Sequence, residues 1–141
     1  MPDDYSVIKT YIMDIKYNIA TPNRPDGSRL LDAPWVYAEL DTILEQLRSE
    51  QAWEKNDRNG ITIFKTDRFT LVATIMKKGA AIMNNSVEGF LTLHVLEGKA
   101  EVETQDCPVV LCKGNMLHLH PFINHNIIAR EETTLLLSTH K

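Results

Sequence analysis

The chain from Gly60 onward consists of short apolar segments separated by Gly, Asn, Asp or Pro, and this feature limits what it can fold into. The segments are rich in Val, Ile, Leu, Thr and Phe, which favour strands. They predict strands at residues 61–65, 69–76, 90–96, 99–104, 109–113, 116–120, 125–129 and 133–138. No helical pattern lies between them to connect parallel strands. The sequence therefore predicts a mainly all-β domain, built as a closed barrel or a double-sheet jelly roll.

One helix is predicted before the strands. Apolar residues at positions 40, 43, 44 and 47 recur at helical spacing, and charged residues lie outside this stripe. Asp41 is the predicted N-cap. The helix is expected to end near Trp53, because residues 54–60 form a polar turn cluster without an apolar stripe. We expect Trp53 to pack the helix against the sheet.

The first 28 residues are predicted to be an appendage of the domain. Isoleucine residues at positions 8, 12, 15 and 19 fall at helical spacing, but their β-branched side chains also permit a strand. Residues 21–28 contain two prolines and a glycine, which indicates a surface connection. The predicted domain is therefore residues 29–141, with the barrel core at about 60–138.

Size and charge exclude several partners. A chain of 141 residues suits a single domain. Its net charge is −4 with scattered basic residues, so we expect no nucleic-acid partner. The apolar runs are too short to span a bilayer, so we expect no membrane partner.

The N-terminus lacks the pattern of a secretory signal, so a cytoplasmic location is expected. Cys107 and Cys112 are expected to be reduced thiols, because five strand positions separate them by roughly 16 Å.

Three glycines and one histidine have the spacing of two known motifs. Gly79 and Gly98 match the ends of the first motif, and Gly114 and His125 match the second. Over residues 60–138 the chain thereby resembles the RmlC-like cupin superfamily. The resemblance implies a cupin jelly-roll barrel, also called a double-stranded β-helix, with one N-terminal helix, and it implies a homodimer. The glycines are expected in tight turns between strands, where only glycine adopts a positive φ without strain.

The resemblance also implies a degenerate metal site. In the family, two histidines and a glutamate of the first motif join the histidine of the second motif to bind a divalent metal. The matching positions here hold Asn85, Val87, Leu91 and His125. Val and Leu offer no lone pair, and an amide oxygen is a poor ligand for transition metals. The second motif departs as well, since Phe122 stands in a glycine position of the family. We therefore expect no cofactor.

A displaced metal site is the alternative that the sequence leaves open. His118 and His120 are two residues apart on a predicted strand and could point toward the same interior as His125. A divalent transition metal bound by His118, His120 and His125 would make the chain a metal-dependent enzyme of the dioxygenase or isomerase type. His94 is expected on the outer face, opposite Leu91 and Leu93.

Without metal ligands the barrel interior is expected to be apolar. Apolar walls with a few polar groups are typical of a small-molecule pocket and also of a packed core, and the sequence does not decide between them. Ile75 is expected among the residues that face this interior. The residues expected to line a pocket are Asn85, Val87, Leu91, Leu93, His120 and His125. The function expected is thus a non-catalytic, metal-free domain that binds a small molecule or serves as an interaction module.

Overall fold

A computed structural model describes residues 15–141 of the chain. The isoleucines at positions 8 and 12, on which part of the N-terminal expectation depends, lie outside these residues. The described elements are, in order, β1 (Lys16–Asn18), β2 (Arg29–Asp32), α1 (Leu40–Ser49), α2 (Gln51–Lys55), β3 (Arg58–Lys65), β4 (Phe69–Met76), β5 (Ala81–Asn85), β6 (Phe90–Glu97), β7 (Lys99–Glu103), β8 (Val109–Cys112), β9 (Met116–Leu119), β10 (His125–Ala129) and β11 (Thr133–His140).

The strands from β3 onward form two antiparallel sheets that make a jelly-roll sandwich. One sheet has four strands in the order β5-β10-β7-β8, and the other has five in the order β3-β4-β11-β6-β9. Strands that are distant in sequence are neighbours in both sheets, as in a jelly roll. The mainly β prediction is confirmed, and each predicted strand is present. Strand β5 was not predicted, because its five residues end in two asparagines and lack alternation.

The five-stranded sheet is apolar on both faces. Leu135 faces the four-stranded sheet and belongs to an inner cluster that fills the space between the sheets. The next residue, Leu136, packs against an outer cluster between the same sheet and α1. Ile75 belongs to this outer cluster, so its predicted place in the barrel interior is wrong. The reason is strand alternation, since Ala73 and Ile75 share the face of β4 that points toward the helix.

The outer cluster holds the helices on the sheet. Leu47 is fully buried there, and burial of a leucine side chain stabilises the fold by about 2 kcal/mol. The helical stretch is interrupted at Glu50, whose backbone is extended. Glu39 occupies the N-cap position, and Asp41 lies in the first turn of α1, so the predicted cap is wrong by two residues. Trp53 packs against the outer cluster as expected.

Residues 15–32 form a hairpin that is attached to the rest of the chain. Its strands β1 and β2 make a two-stranded sheet, so the hairpin includes residues on both sides of position 28. Within its loop, the Arg24 guanidinium donates hydrogen bonds to the Glu50 carboxylate, to the Asn59 side chain at 3.2 Å and to the Gly60 carbonyl at 2.9 Å. The loop is thereby fixed onto the helices and β3.

The glycines of the two motifs have the backbone conformation that their spacing predicts. Gly79, Gly98 and Gly114 all have positive φ, at 89°, 90° and 84°. Gly98 is also tightly packed, because a Cβ there would collide with the Glu132 carbonyl and lie 2.8 Å from the Thr133 Cα. The turns that close the predicted motifs are therefore formed as expected.

No helix within residues 15–141 combines the length and the hydrophobicity that crossing a bilayer requires. Cys107 and Cys112 are both free and exposed.

Candidate functional site

His125 stands at the position that the resemblance described above matches to a metal-binding histidine of cupins, and its two ring nitrogens both have protein partners. It is the first residue of β10 and is only 1% exposed. Its Nδ1 atom lies 2.8 Å from the carbonyl oxygen of Ile123, which can only accept, so Nδ1 carries the proton. Nε2 is then an acceptor in the neutral ring, and the Asn85 Nδ2 atom donates to it at 3.2 Å. The lone pair that would bind a metal is therefore used in a hydrogen bond.

The remaining positions of the first motif contribute to packing. Leu91 and Leu93 are 3% and 0% exposed and lie within the inner cluster. Val87 is partly buried and packs against the same cluster. Asn85 pairs with His125 across β5 and β10. A transition metal of the kind that cupins bind does not fit these four positions. Asn85, Val87 and Leu91 lack a suitable ligand atom, and Nε2 of His125 already accepts a hydrogen bond.

His118 and His120 lie on the outer side of the five-stranded sheet. Leu117 and Leu119 of β9 pack inward against the inner cluster, so His118 points the other way. Its ring stacks on Phe90 at a centroid distance of 5.5 Å, and its Nδ1 is 2.9 Å from the Thr92 hydroxyl.

The ring of His120 contacts Phe90 edge-on at 5.0 Å and is exposed. His118 and His120 thus lie on the outer side of the five-stranded sheet, whereas His125 is buried. The three side chains do not meet at one point, as the displaced metal site requires. Within residues 15–141 there is no group of three or more His, Cys, Asp or Glu side chains able to hold a metal ion. The sequence contains a signal for the outward direction of His118, because it lies between two leucines on a strand whose side chains alternate.

A groove that the sequence did not predict lies on the outer side of β3. Its cavity volume is 730 Å³. Ile61 and Ile63 form its buried floor, whereas Trp35 and Tyr37 are 80% and 73% exposed at its rim. The groove is bounded by β2, residues 33–39, α1 and β3. The available sequence signal was the largely apolar run at residues 33–38 immediately before the helix.

A cluster of charged and polar groups is linked to the groove through Gln46, which lines the groove and donates a hydrogen bond to Glu50 at 3.2 Å. The Glu50 carboxylate accepts two hydrogen bonds from Arg24 Nε, at 3.0 and 3.2 Å, and one from Arg24 Nη2 at 2.9 Å. Asn59 donates to Glu50 at 2.9 Å and to the Leu47 carbonyl at 2.9 Å. Burial raises the pKa of Glu50, but hydrogen bonds from Arg24, Asn59 and Gln46 outweigh it, and the pKa lies below its ordinary value. The cluster therefore holds Glu50 as a carboxylate.

Arg29 reaches the groove from β2. Its Nε donates to the Thr62 carbonyl at 2.9 Å and its Nη1 donates to the Gly27 carbonyl at 2.8 Å. These bonds fix the guanidinium beside the middle of β3, where it lines the groove.

Solved structures of several proteins are similar to this chain. A cupin superfamily protein from Desulfitobacterium hafniense is 18% identical, with 60% of this chain and 78% of that chain covered and a TM-score of 0.58. For KdgF from Halomonas sp. the identity is also 18%, the coverage is 60% and 80%, and the TM-score is 0.56. A variant of salicylate 1,2-dioxygenase from Pseudoaminobacter salicylatoxidans is 14% identical and gives a TM-score of 0.66, with 78% of this chain but 36% of that chain covered.

No family model and no curated protein matches the sequence. At identities of 14–18% the structural similarity establishes the architecture alone. The architecture is consistent across these structures, and it agrees with the antiparallel sheets and the glycine turns described above. This chain therefore has the jelly-roll fold of the RmlC-like cupin superfamily.

Proposed function

We propose that this chain is a non-catalytic binding module that holds a small, largely apolar molecule in the groove on the outer side of β3. The observation that carries the proposal is the groove itself. Its volume of 730 Å³ lies within the range of about 300–1,000 Å³ that is typical of small-molecule sites. Exposed aromatic side chains at the rim, Trp35 and Tyr37, offer flat apolar surfaces to a ligand.

The contacts of His125 support a module without a metal cofactor. A metal at this position would need Nε2 free, and it would need Asn85 to withdraw its hydrogen bond. The barrel interior is also less suited to a ligand than the groove, because Leu91 and Leu93 lie in a packed cluster. These contacts favour the groove over the interior as the binding site.

A metal-dependent enzyme remains the competing function, but a specific observation weighs against it. That function needs His118, His120 and His125 around one ion, with ligand distances of about 2 Å. His118 and His120 instead surround Phe90 on the outer surface. Similarity to a salicylate dioxygenase variant does not alter this, since it extends to the fold alone.

We further propose that the module acts in the cytoplasm as a homodimer. Exposed free thiols at Cys107 and Cys112 suit a reducing compartment.

Strand β8 is an edge of the four-stranded sheet, and its Val109 and Val110 are 41% and 51% exposed. An apolar sheet edge favours pairing with a second copy. Light scattering after size exclusion is expected to give twice the chain mass, and Val110→Lys should shift it to one chain; a monomeric wild-type protein would contradict the dimer.

Binding in the groove is testable with phenylnaphthylamine, an uncharged aromatic probe whose fluorescence rises in apolar surroundings. Energy transfer from tryptophan to the bound probe is measured in Trp53→Phe, which leaves Trp35 as the donor. We expect saturable binding with efficient transfer, because Trp35 lies at the rim of the groove.

A matched pair of variants locates the probe. Trp35→Ala should weaken phenylnaphthylamine binding by about tenfold through lost aromatic contact. Phe122→Ala removes a comparably exposed aromatic residue that does not line the groove, and it should leave the affinity unchanged. The opposite result, with binding lost in Phe122→Ala and kept in Trp35→Ala, would place the probe near Phe122 and contradict the proposal.

A further inference from the structure

The charge on Arg29 has no counter-charge in direct contact within residues 15–141. Its guanidinium bonds to two backbone carbonyl groups, those of Thr62 and Gly27, and forms no ion pair with the described carboxylates. Its Nη2 atom has no hydrogen-bond partner in this part of the chain. A guanidinium in this state offers donors in a geometry that suits a carboxylate or a similar anion.

The groups near Arg29 leave an excess of positive charge. Arg24 and Glu50 are its charged neighbours, and Glu50 is already bonded to Arg24 through both carboxylate oxygens. Two guanidinium groups and one carboxylate give this cluster a net charge of +1. Burial, followed by repulsion from Arg24, holds the pKa of Arg29 below its usual range, against the opposing effect of Glu50. These neighbours therefore leave the guanidinium of Arg29 without a carboxylate partner of its own.

Two carboxylates also border the groove, and neither neutralises Arg29. The Glu39 carboxylate accepts hydrogen bonds from the Tyr37 hydroxyl at 3.2 Å and the Thr42 hydroxyl at 3.1 Å, at the start of α1. Asp26 is exposed to solvent in the hairpin loop. An exposed carboxylate is strongly screened and contributes little to the field at a partly buried group.

Apolar walls surround this positive charge. The groove floor is formed by Ile61 and Ile63, and the rim by Trp35 and Tyr37. We infer that the ligand of the groove is a small organic anion, whose apolar body contacts these four side chains and whose anionic group pairs with Arg29. This inference rests on the proposed function and adds the chemical class of the ligand.

Two probes with the same aromatic body separate charge from apolar contact. Anilinonaphthalene sulfonate is phenylnaphthylamine with an added sulfonate group. In the wild-type protein at low salt, we expect the sulfonate to bind about tenfold more tightly than the uncharged amine, as one charge-assisted hydrogen-bonded pair would provide. The preference should decrease as salt is raised, because screening weakens the pairing.

Three variants assign that preference to one side chain. Arg29→Met should remove it, Arg29→Lys should keep part of it, and Arg68→Met, which removes an exposed cation outside the groove, should keep all of it. Unfolding curves show whether Arg29→Met is folded, and the salt dependence of the wild-type protein tests the inference where it is not.

The outcomes distinguish the two proposals. Equal affinities for the two probes in the wild-type protein, or a preference that survives in folded Arg29→Met, would refute the organic-anion class and leave groove binding in place. If neither phenylnaphthylamine nor anilinonaphthalene sulfonate binds, both the proposed function and the inference are refuted.

Discussion

The side-chain nitrogen of Asn85 lies 3.2 Å from Nε2 of His125 and donates a hydrogen bond to it. The other ring nitrogen donates to the Ile123 carbonyl at 2.8 Å. The imidazole is thus fixed in one tautomer by groups on both sides. The ring serves as a structural link between β5 and β10.

Metal content is the first prediction. Elemental analysis of the purified protein should find well below one equivalent of iron, nickel, manganese or zinc, and the same content in His125→Ala. A positive control introduces the metal ligands that the resemblance to cupins implies for these positions, through Asn85→His, Val87→His and Leu91→Glu, and this triple variant should retain more metal. Near-stoichiometric metal in the wild-type protein that disappears in His125→Ala would overturn the proposal of a metal-free module.

The second prediction concerns Glu50 and acid. The pKa of Glu50 is lower in the folded protein than its ordinary value of 4.5, so its stabilising effect is complete above that value and is lost as pH falls through the folded pKa. Glu50→Gln should reduce the free energy of unfolding at pH 7 by about 1–3 kcal/mol, because it leaves Arg24 without its carboxylate. The difference from wild type should shrink in urea titrations at about pH 3.

Asp67→Asn is the control for this effect. Lys16 donates a hydrogen bond to Asp67 and lowers its pKa as well, but the aspartate side chain is 94% exposed. Solvent screening makes such a pair weak, so the control should unfold like the wild-type protein. A pH dependence of Glu50→Gln that equals the wild-type curve would show that Glu50 does not contribute in this way.

The third prediction compares two glycines with the same backbone conformation. Gly79→Ala should lower the free energy of unfolding by about 1 kcal/mol, which is the cost of a positive φ for alanine, since a Cβ there meets nothing within 4 Å. Gly98→Ala has the same cost and also forces a Cβ onto Glu132 and Thr133. Its loss should exceed about 3 kcal/mol, measured by urea unfolding. Equal losses of unfolding free energy in the two variants would mean that the backbone around Gly98 shifts to relieve the clash with Glu132 and Thr133 at little cost.

The fourth prediction concerns Phe122, a non-glycine residue that adopts a φ of 62°. Positive φ is unfavourable for a bulky residue, and the side chain is 70% exposed, so little burial compensates for it. Phe122→Gly should therefore be about 1 kcal/mol more stable than Phe122→Ala in thermal or urea unfolding. A less stable glycine variant would indicate that the loss of chain entropy outweighs the relief of strain.

The sequence predicted most of the fold because the relevant signals are local. Alternating apolar residues in segments such as Phe90–Glu97 specify both a strand and its inward face. Positive φ at Gly79 and Gly98 follows from turns that only a few residues define. Strand β5 escaped prediction because its pairing with β10, forty residues away, decides its conformation.

The groove and the charged cluster beside it were less predictable because they depend on contacts between distant segments. Arg29 acquires its position from Thr62, which is 33 residues later. Glu50 leaves the helix to meet Arg24, 26 residues earlier, and no local pattern specifies that break. The histidines are a different case, since alternation along β9 already places His118 opposite the inward leucines.

The five-stranded sheet described above acts as a partition between two apolar compartments. Substitutions in residues 33–39 or on the groove side of α1 change the shape and charge of the outer compartment, while Leu93, Leu135 and their neighbours keep the inner one filled. The surface on the outer side of this sheet can therefore change in shape and charge through substitutions there, while the sandwich on the inner side remains the same.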